Sequence, residues 1–138
     1  MTYRRVKEPK SIVVIFKTHL REGADGEAYD RASRRMHELV ETIPGFISIK
    51  GFAGEDGEEI DIVRFESEGA LDAWRTQPEH RVVQDRGRKE FYDYYHVEVC
   101  RVFRDYAFVL GPDDARAPPS ALTLDRDGVG SSRPSGPG

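Results

Sequence analysis

The hydrophobic pattern changes period along the chain, and each change marks an element. Ile12 to Leu20 is apolar at both parities, with Ile12, Val14 and Phe16 on one side of a strand and Val13 and Ile15 on the other. Both faces of that strand are therefore expected to be covered. After Gly23 the period lengthens: Tyr29, Ala32, Met36, Leu39, Val40 and Ile43 recur at three- and four-residue steps, with Asp30, Arg34, Arg35, Glu38 and Glu41 between them. This predicts an amphipathic helix of about four turns, capped by Asp25 and stopped at Pro44-Gly45. Phe46 to Phe52 and Ile60 to Phe65 then have strand composition. Gly54, Asp56 and Gly57 between them suit a tight connection, so an antiparallel hairpin is predicted.

The stretch from Arg64 to Tyr95 holds the only Trp and the densest run of His, Arg and Tyr. Ser67, followed by Glu68, starts a helix carrying Leu71 and Trp74 on one face. Thr76 is placed to cap a second helical piece, in which Pro78 sits early enough to cost no intrahelical bond. His80, Val83, Gln84, Gly87, Phe91 and Tyr95 then recur at helical steps. One face thus carries an imidazole, an amide, a gap and two rings, a mixture that points to a pocket more than to a plain core. Val97 to Phe108 predicts a last strand, with broken alternation near Cys100 to Val102 suggesting a bulge or a strand whose two faces are both in use. The order is β-α-β-β-α-β, an α+β domain.

Composition sets the boundaries. Residues 1–11 are polar and predict a flexible lead-in, 12–108 form the folded domain, and 109–138 form a Pro/Gly-rich tail with too few apolar groups to order itself. With 138 residues, 33% of them charged, and a net charge of -4, the chain lacks the basic excess of a nucleic-acid binder. The apolar run Ile12 to Phe16 is too short for a membrane span or a signal core, so a cytoplasmic protein without membrane contact is expected. The single cysteine, Cys100, suits a reducing compartment and is expected to be a small buried strand residue. His19, His37 and His96 stand apart from one another, so no metal site is expected.

Pro44-Gly45-Phe46 after the first helix, Glu66-Ser67-Glu68 after the third strand and Trp74 soon after it together resemble the antibiotic biosynthesis monooxygenase family. The resemblance covers about 12–108 and implies a ferredoxin-like protomer with helices on one face of an antiparallel sheet. It also implies a homodimer, two sheets packing into an α/β barrel, for which two-sided apolar strands are suited. Members include cofactor-free oxygenases of aromatic polyketide-type or quinone substrates and haem-degrading enzymes. For haem breakdown the resemblance asks for a first-strand Asn, a second-helix Trp and a ligand His. Trp74 matches, but the chain contains no Asn, and Gln84 stands at the ligand position with His80 one turn earlier.

The expected function is therefore a small cofactor-independent monooxygenase acting on a planar aromatic ligand. His80 is the candidate catalytic base, because imidazole titrates near neutrality and can take a phenolic proton. Trp74 is the wall for a flat ring, Gln84 and Tyr95 are polar positioners, Phe91 is a second ring contact, and Arg88 is a partner for a carboxylate. Each also has a structural explanation, Trp74 and Phe91 as core and Arg86, Arg88 and Lys89 as solvated charges, while a pocket mouth or a dimer rim explains Tyr92, Tyr94 and Tyr95 equally well. No cofactor is expected. Haem binding by the same fold and a non-catalytic dimer that holds a small ligand are the alternatives.

Overall fold

The computed structural model describes residues 11–111 together with the backbone of residues 2–5. Its elements are β1 (Thr2–Arg5), β2 (Ile12–Leu20), α1 (Gly26–Val40), β3 (Phe46–Ala53), β4 (Glu59–Phe65), α2 (Glu68–Arg75), α3 (Pro78–Arg86), a π-helical turn (Gly87–Phe91), β5 (Tyr92–Arg101) and β6 (Tyr106–Val109). Four strands form an antiparallel sheet in the order β3-β4-β2-β5, while β1 and β6 pair separately. This is the expected α+β, ferredoxin-like arrangement.

Several boundaries follow the local chemistry that predicts them. The Asp25 carboxylate accepts from the Ala28 N–H at 3.1 Å, and the Ser67 hydroxyl accepts from the Ala70 N–H at 3.1 Å, so each satisfies an orphan donor of its helix. Gly45 adopts φ +91°, which an L side chain resists, and a Cβ there would lie 2.6 Å from Ala70 Cβ. Its carbonyl also accepts from the Glu66 N–H at 2.7 Å. The Pro-Gly-Phe and Glu-Ser-Glu segments are thus two sides of one junction.

The register puts Ile12, Val14 and Phe16 beside Phe65, Val63 and Asp61 on a common face. Most of these apolar residues join Val40, Ile49, Ala70 and Leu71 in one core cluster, with Trp74 packed against it. Ala28, Tyr29 and Phe91 form a second cluster, against which Leu20, Ala32 and Tyr92 pack. On the other face of the sheet, Val13, Ile15, Ile60 and Ile62 are only half-buried within the protomer.

Several expectations are corrected. Thr76 ends α2, donating its N–H to Asp72 O, and the cap of α3 is Gln77, whose side-chain oxygen accepts from the His80 N–H at 2.8 Å. The helical face does not continue to Tyr95: α3 stops at Arg86, and Tyr95 lies on β5 opposite Thr18. The backbone gains a ladder with β2 there, which outweighs the helical spacing of the side chains. Nor is Val97 to Phe108 one strand, because β5 ends at Arg101 and β6 turns away to pair with β1. The expected flexible lead-in accordingly contains a strand, Thr2 pairing with Val109. Cys100 lies on β5 as a strand residue but is exposed. Residues 6–10 and the expected tail from 112 onward lie outside the described residues.

Candidate functional site

A cavity of about 200 Å3 lies between the sheet and the helices, lined by members of both core clusters. All six residues expected at the site, Trp74, His80, Gln84, Arg88, Phe91 and Tyr95, line it. The helices contribute five of them through α2, α3 and the π-helical turn, and Tyr95 arrives from β5.

His80 is the most constrained. Its ring stacks on the Trp74 indole with centroids 3.7 Å apart and 13° between planes. Its Nδ1 lies 2.8 Å from the Trp74 carbonyl oxygen. A carbonyl only accepts, so Nδ1 carries the proton and Nε2 the lone pair. Burial lowers the His80 pKa below its ordinary value, and the bond to Trp74 O opposes this only in part. At neutral pH the site thus presents a neutral imidazole with an oriented basic nitrogen.

The other five residues differ in character. Phe91 is 2% exposed, meets Tyr29 edge-on at 5.4 Å, and carries the Arg86 guanidinium over its ring at 5.0 Å, so it is a structural wall. Gln84 is exposed at the rim. Arg88 is exposed, pairs with Asp85 at 3.5 Å and reaches the Tyr95 hydroxyl at 3.4 Å, a long contact. The apparent gap at Gly87 holds no ligand space: a Cβ there would lie 2.6 Å from the Tyr92 ring, which fills it.

The π-helical turn that carries Arg88 and Phe91 is held from outside. The Arg21 guanidinium donates to Arg88 O at 2.7 Å and to Tyr92 O at 3.0 Å, while the Arg21 N–H donates to Phe91 O. A cation thereby satisfies the carbonyls that a helix end leaves bare.

Further polar groups on the wall include Tyr29 from α1, Asp61 from β4 and Tyr92 from β5; the sequence marks Tyr92 for a pocket mouth or a dimer rim and singles out neither of the other two as a site residue. The hydroxyls of Tyr29 and Tyr92 are hydrogen-bonded to each other, and both pKa values are raised, first by burial and further by the nearby Asp61 charge; that of Tyr92 reaches about 12. A signal did exist. In β4 an alternating register sets Glu59 and Asp61 on the same face as Val63 and Phe65, and acids on a core-facing parity are unusual.

Among the described residues no group of three or more His, Cys, Asp or Glu is arranged to hold a metal ion. No helix among them is long and apolar enough to cross a membrane.

Fold and cavity together define an α+β domain of ferredoxin-like topology with a cavity between sheet and helices. The chain belongs to the antibiotic biosynthesis monooxygenase family, whose pattern matches residues 11–86. It is 30% identical over 110 residues to the uncharacterized protein YqjZ of Bacillus subtilis (strain 168), a match that covers 80% of this chain and 95% of the relative. Among solved structures it is similar to protein SO0527 from Shewanella oneidensis, with a TM-score of 0.61, 17% identity, and coverage of 73% of this chain and 97% of that one. It is also similar to SnoaB, a cofactor-independent oxygenase from Streptomyces nogalater, with a TM-score of 0.57, 11% identity, and coverage of 66% and 91%. At these identities the structural likenesses establish the fold.

Proposed function

We propose that this protein is a homodimeric, cofactor-independent monooxygenase acting on a small planar aromatic substrate, with His80 as the base. The observation that carries this reading is the neutral imidazole fixed on the Trp74 face at the wall of a largely apolar cavity. Membership of the family and likeness to a cofactor-independent oxygenase support it.

The residues divide the work. Trp74 and the apolar wall take a flat ring, and Nε2 of His80 removes a proton from it. For an anthrone the resulting anion passes an electron to O2, and the two radicals join at the ring carbon. Loss of water then leaves a ketone: the methylene supplies four electrons, one oxygen atom stays and the other leaves in water. Gln84, Arg88 and Tyr95 sit where they can hold polar substituents at the rim.

The cavity size argues for a ligand of one to three rings. An apolar cavity of about 150 Å3 accepts benzene, and pockets for drug-sized ligands start near roughly 300 Å3. Haem, the alternative, would find a free imidazole nitrogen at His80, but Gln84 stands at the expected ligand position and the chain has no Asn. The homodimer rests on apolar surface: Tyr95, Val97 and Val99 of β5 are 42%, 45% and 53% exposed along the open side of the cavity, and the opposite sheet face carries Val13, Ile15, Ile60 and Ile62.

Oxygen uptake with an anthrone, in the absence of added metal or flavin, is the test. We expect turnover that falls by about 10²–10⁴-fold in His80→Ala, the usual contribution of a positioned base. Uptake equal in wild type and variant removes His80 from the mechanism. A monomer by light scattering at micromolar concentration removes the dimer.

A further inference from the structure

The cavity has two polar poles, and the proposed chemistry uses one. His80 and Trp74 stand at the pole beside the larger core cluster. Tyr29 and Tyr92 belong to the second cluster, with ring centroids 6.0 Å apart, and Asp61 lies opposite Phe16 in the sheet, whose ring meets Tyr92 at 6.1 Å. The two poles are thus separate parts of one wall.

Their chemistry is complementary to a particular ligand. At the first pole Nδ1 of His80 is engaged by the Trp74 carbonyl, which leaves Nε2 as an acceptor. At the second, a carboxylate accepts and never donates while ionised. Asp61 stands on the core-facing parity of β4 and lines the cavity, and an acidic group at the wall of a cleft is a functional-site candidate. The Tyr29–Tyr92 hydroxyl pair stands beside it, with Tyr29 only 5% exposed, and gives that pole a fixed position.

The geometry points to Asp61, positioned beside the Tyr29–Tyr92 pair, as a specificity-determining residue that accepts a hydrogen bond from a hydroxyl or amino group on the end of the aromatic ligand remote from His80. The preferred ligand therefore carries hydrogen-bond donors at both ends, and an aromatic whose ends only accept is disfavoured. This rests on the reading of the cavity as an aromatic site.

Trp74 is the only tryptophan of the chain and lines the cavity, so its fluorescence reports occupancy directly. Binding of 2,6-dihydroxynaphthalene and of its dimethyl ether, which has the same ring and no donors, is measured in the full-length protein and in Asp61→Asn. The substitution keeps size and removes the charge. We expect the diol to weaken by about tenfold, because a charge-assisted bond is about twice as strong as a neutral one, and the diether to be unchanged. The ratio of the two affinities cancels any general loosening of the cavity. An Asp61→Asn protein that binds both compounds with the wild-type ratio overturns the assignment and leaves the aromatic site standing. Failure of the diol to quench Trp74 in wild type overturns both. If Asp61→Asn does not fold, Tyr92→Phe is compared in the same way; it removes a hydroxyl from the pole, and an unchanged ratio there also overturns the assignment.

Discussion

His80 and Trp74 form a single stacked unit: the rings lie 3.7 Å apart, nearly parallel, and the imidazole donates from Nδ1 to the carbonyl of the residue it stacks on. A protonated imidazole in contact with an indole quenches its emission. Trp74 fluorescence is therefore expected to titrate with the His80 midpoint, below 6.5, because burial disfavours the charged ring. His80→Gln removes the titration, and a midpoint at or above 6.5 contradicts the burial argument.

The same shift makes stability depend on pH. Between the lowered folded value and 6.5 the unfolded chain binds more protons than the folded one, so stability rises with pH through that window. Above 6.5 the difference is gone, and below the folded value the penalty is complete. Urea midpoints of wild type and His80→Gln, compared at mildly acidic and at neutral pH, are expected to diverge on the acid side, with the wild type losing more.

Tyr92 and Tyr29 set the alkaline limit. Their raised values mean that the unfolded chain ionises first, near 10, while the folded chain holds Tyr92 neutral until about 12 and Tyr29 beyond that. Stability is present below 10 and declines as pH rises from there. The ultraviolet signal of tyrosinate from these two residues is expected to appear together with unfolding. Their early titration in a folded protein would falsify the buried pair.

Gly45 is a position where only glycine fits. Gly45→Ala forces a side chain into φ +91° and against Ala70, and a loss of about 2–4 kcal/mol in chemical denaturation is expected. Adding Ala70→Gly relieves the overlap but not the dihedral strain, so recovery should be partial and the two substitutions non-additive. Full recovery points to the contact alone.

Arg21 is expected to matter although it lies far from His80 in sequence. Arg21→Ala leaves Arg88 O and Tyr92 O without their charged donor, and a loss of about 2 kcal/mol follows from bonds of this kind. Since those carbonyls belong to the π-helical turn and the start of β5, ligand affinity at the cavity should fall as well. Denaturation and Trp74 quenching measure the two effects separately.

Local chemistry made much of this protein legible from its sequence. Asp25 and Ser67 announce their helices because a side-chain oxygen reaches the orphan N–H groups of its own first turn. The apolar parities of Ile12 to Leu20 and the turn residues at Gly54 to Gly57 announce the sheet. The Pro44-Gly45-Phe46 and Glu66-Ser67-Glu68 motifs, with Trp74, identify the family, and the helical spacing after Pro78 assembled most of the site.

Contacts between distant segments decided the rest. Tyr95 satisfies a helical step as well as Phe91 does, and what makes it a strand residue is the ladder to Thr18, more than seventy positions away. Gly87 is a gap in the helical pattern, and in the fold the Tyr92 ring fills it. The pole of Tyr29, Asp61 and Tyr92 is built from three elements whose residues share no spacing, so no periodicity could gather them. Backbone groups and side chains choose among locally equal states by the partner that satisfies them, and that partner is supplied by the tertiary fold.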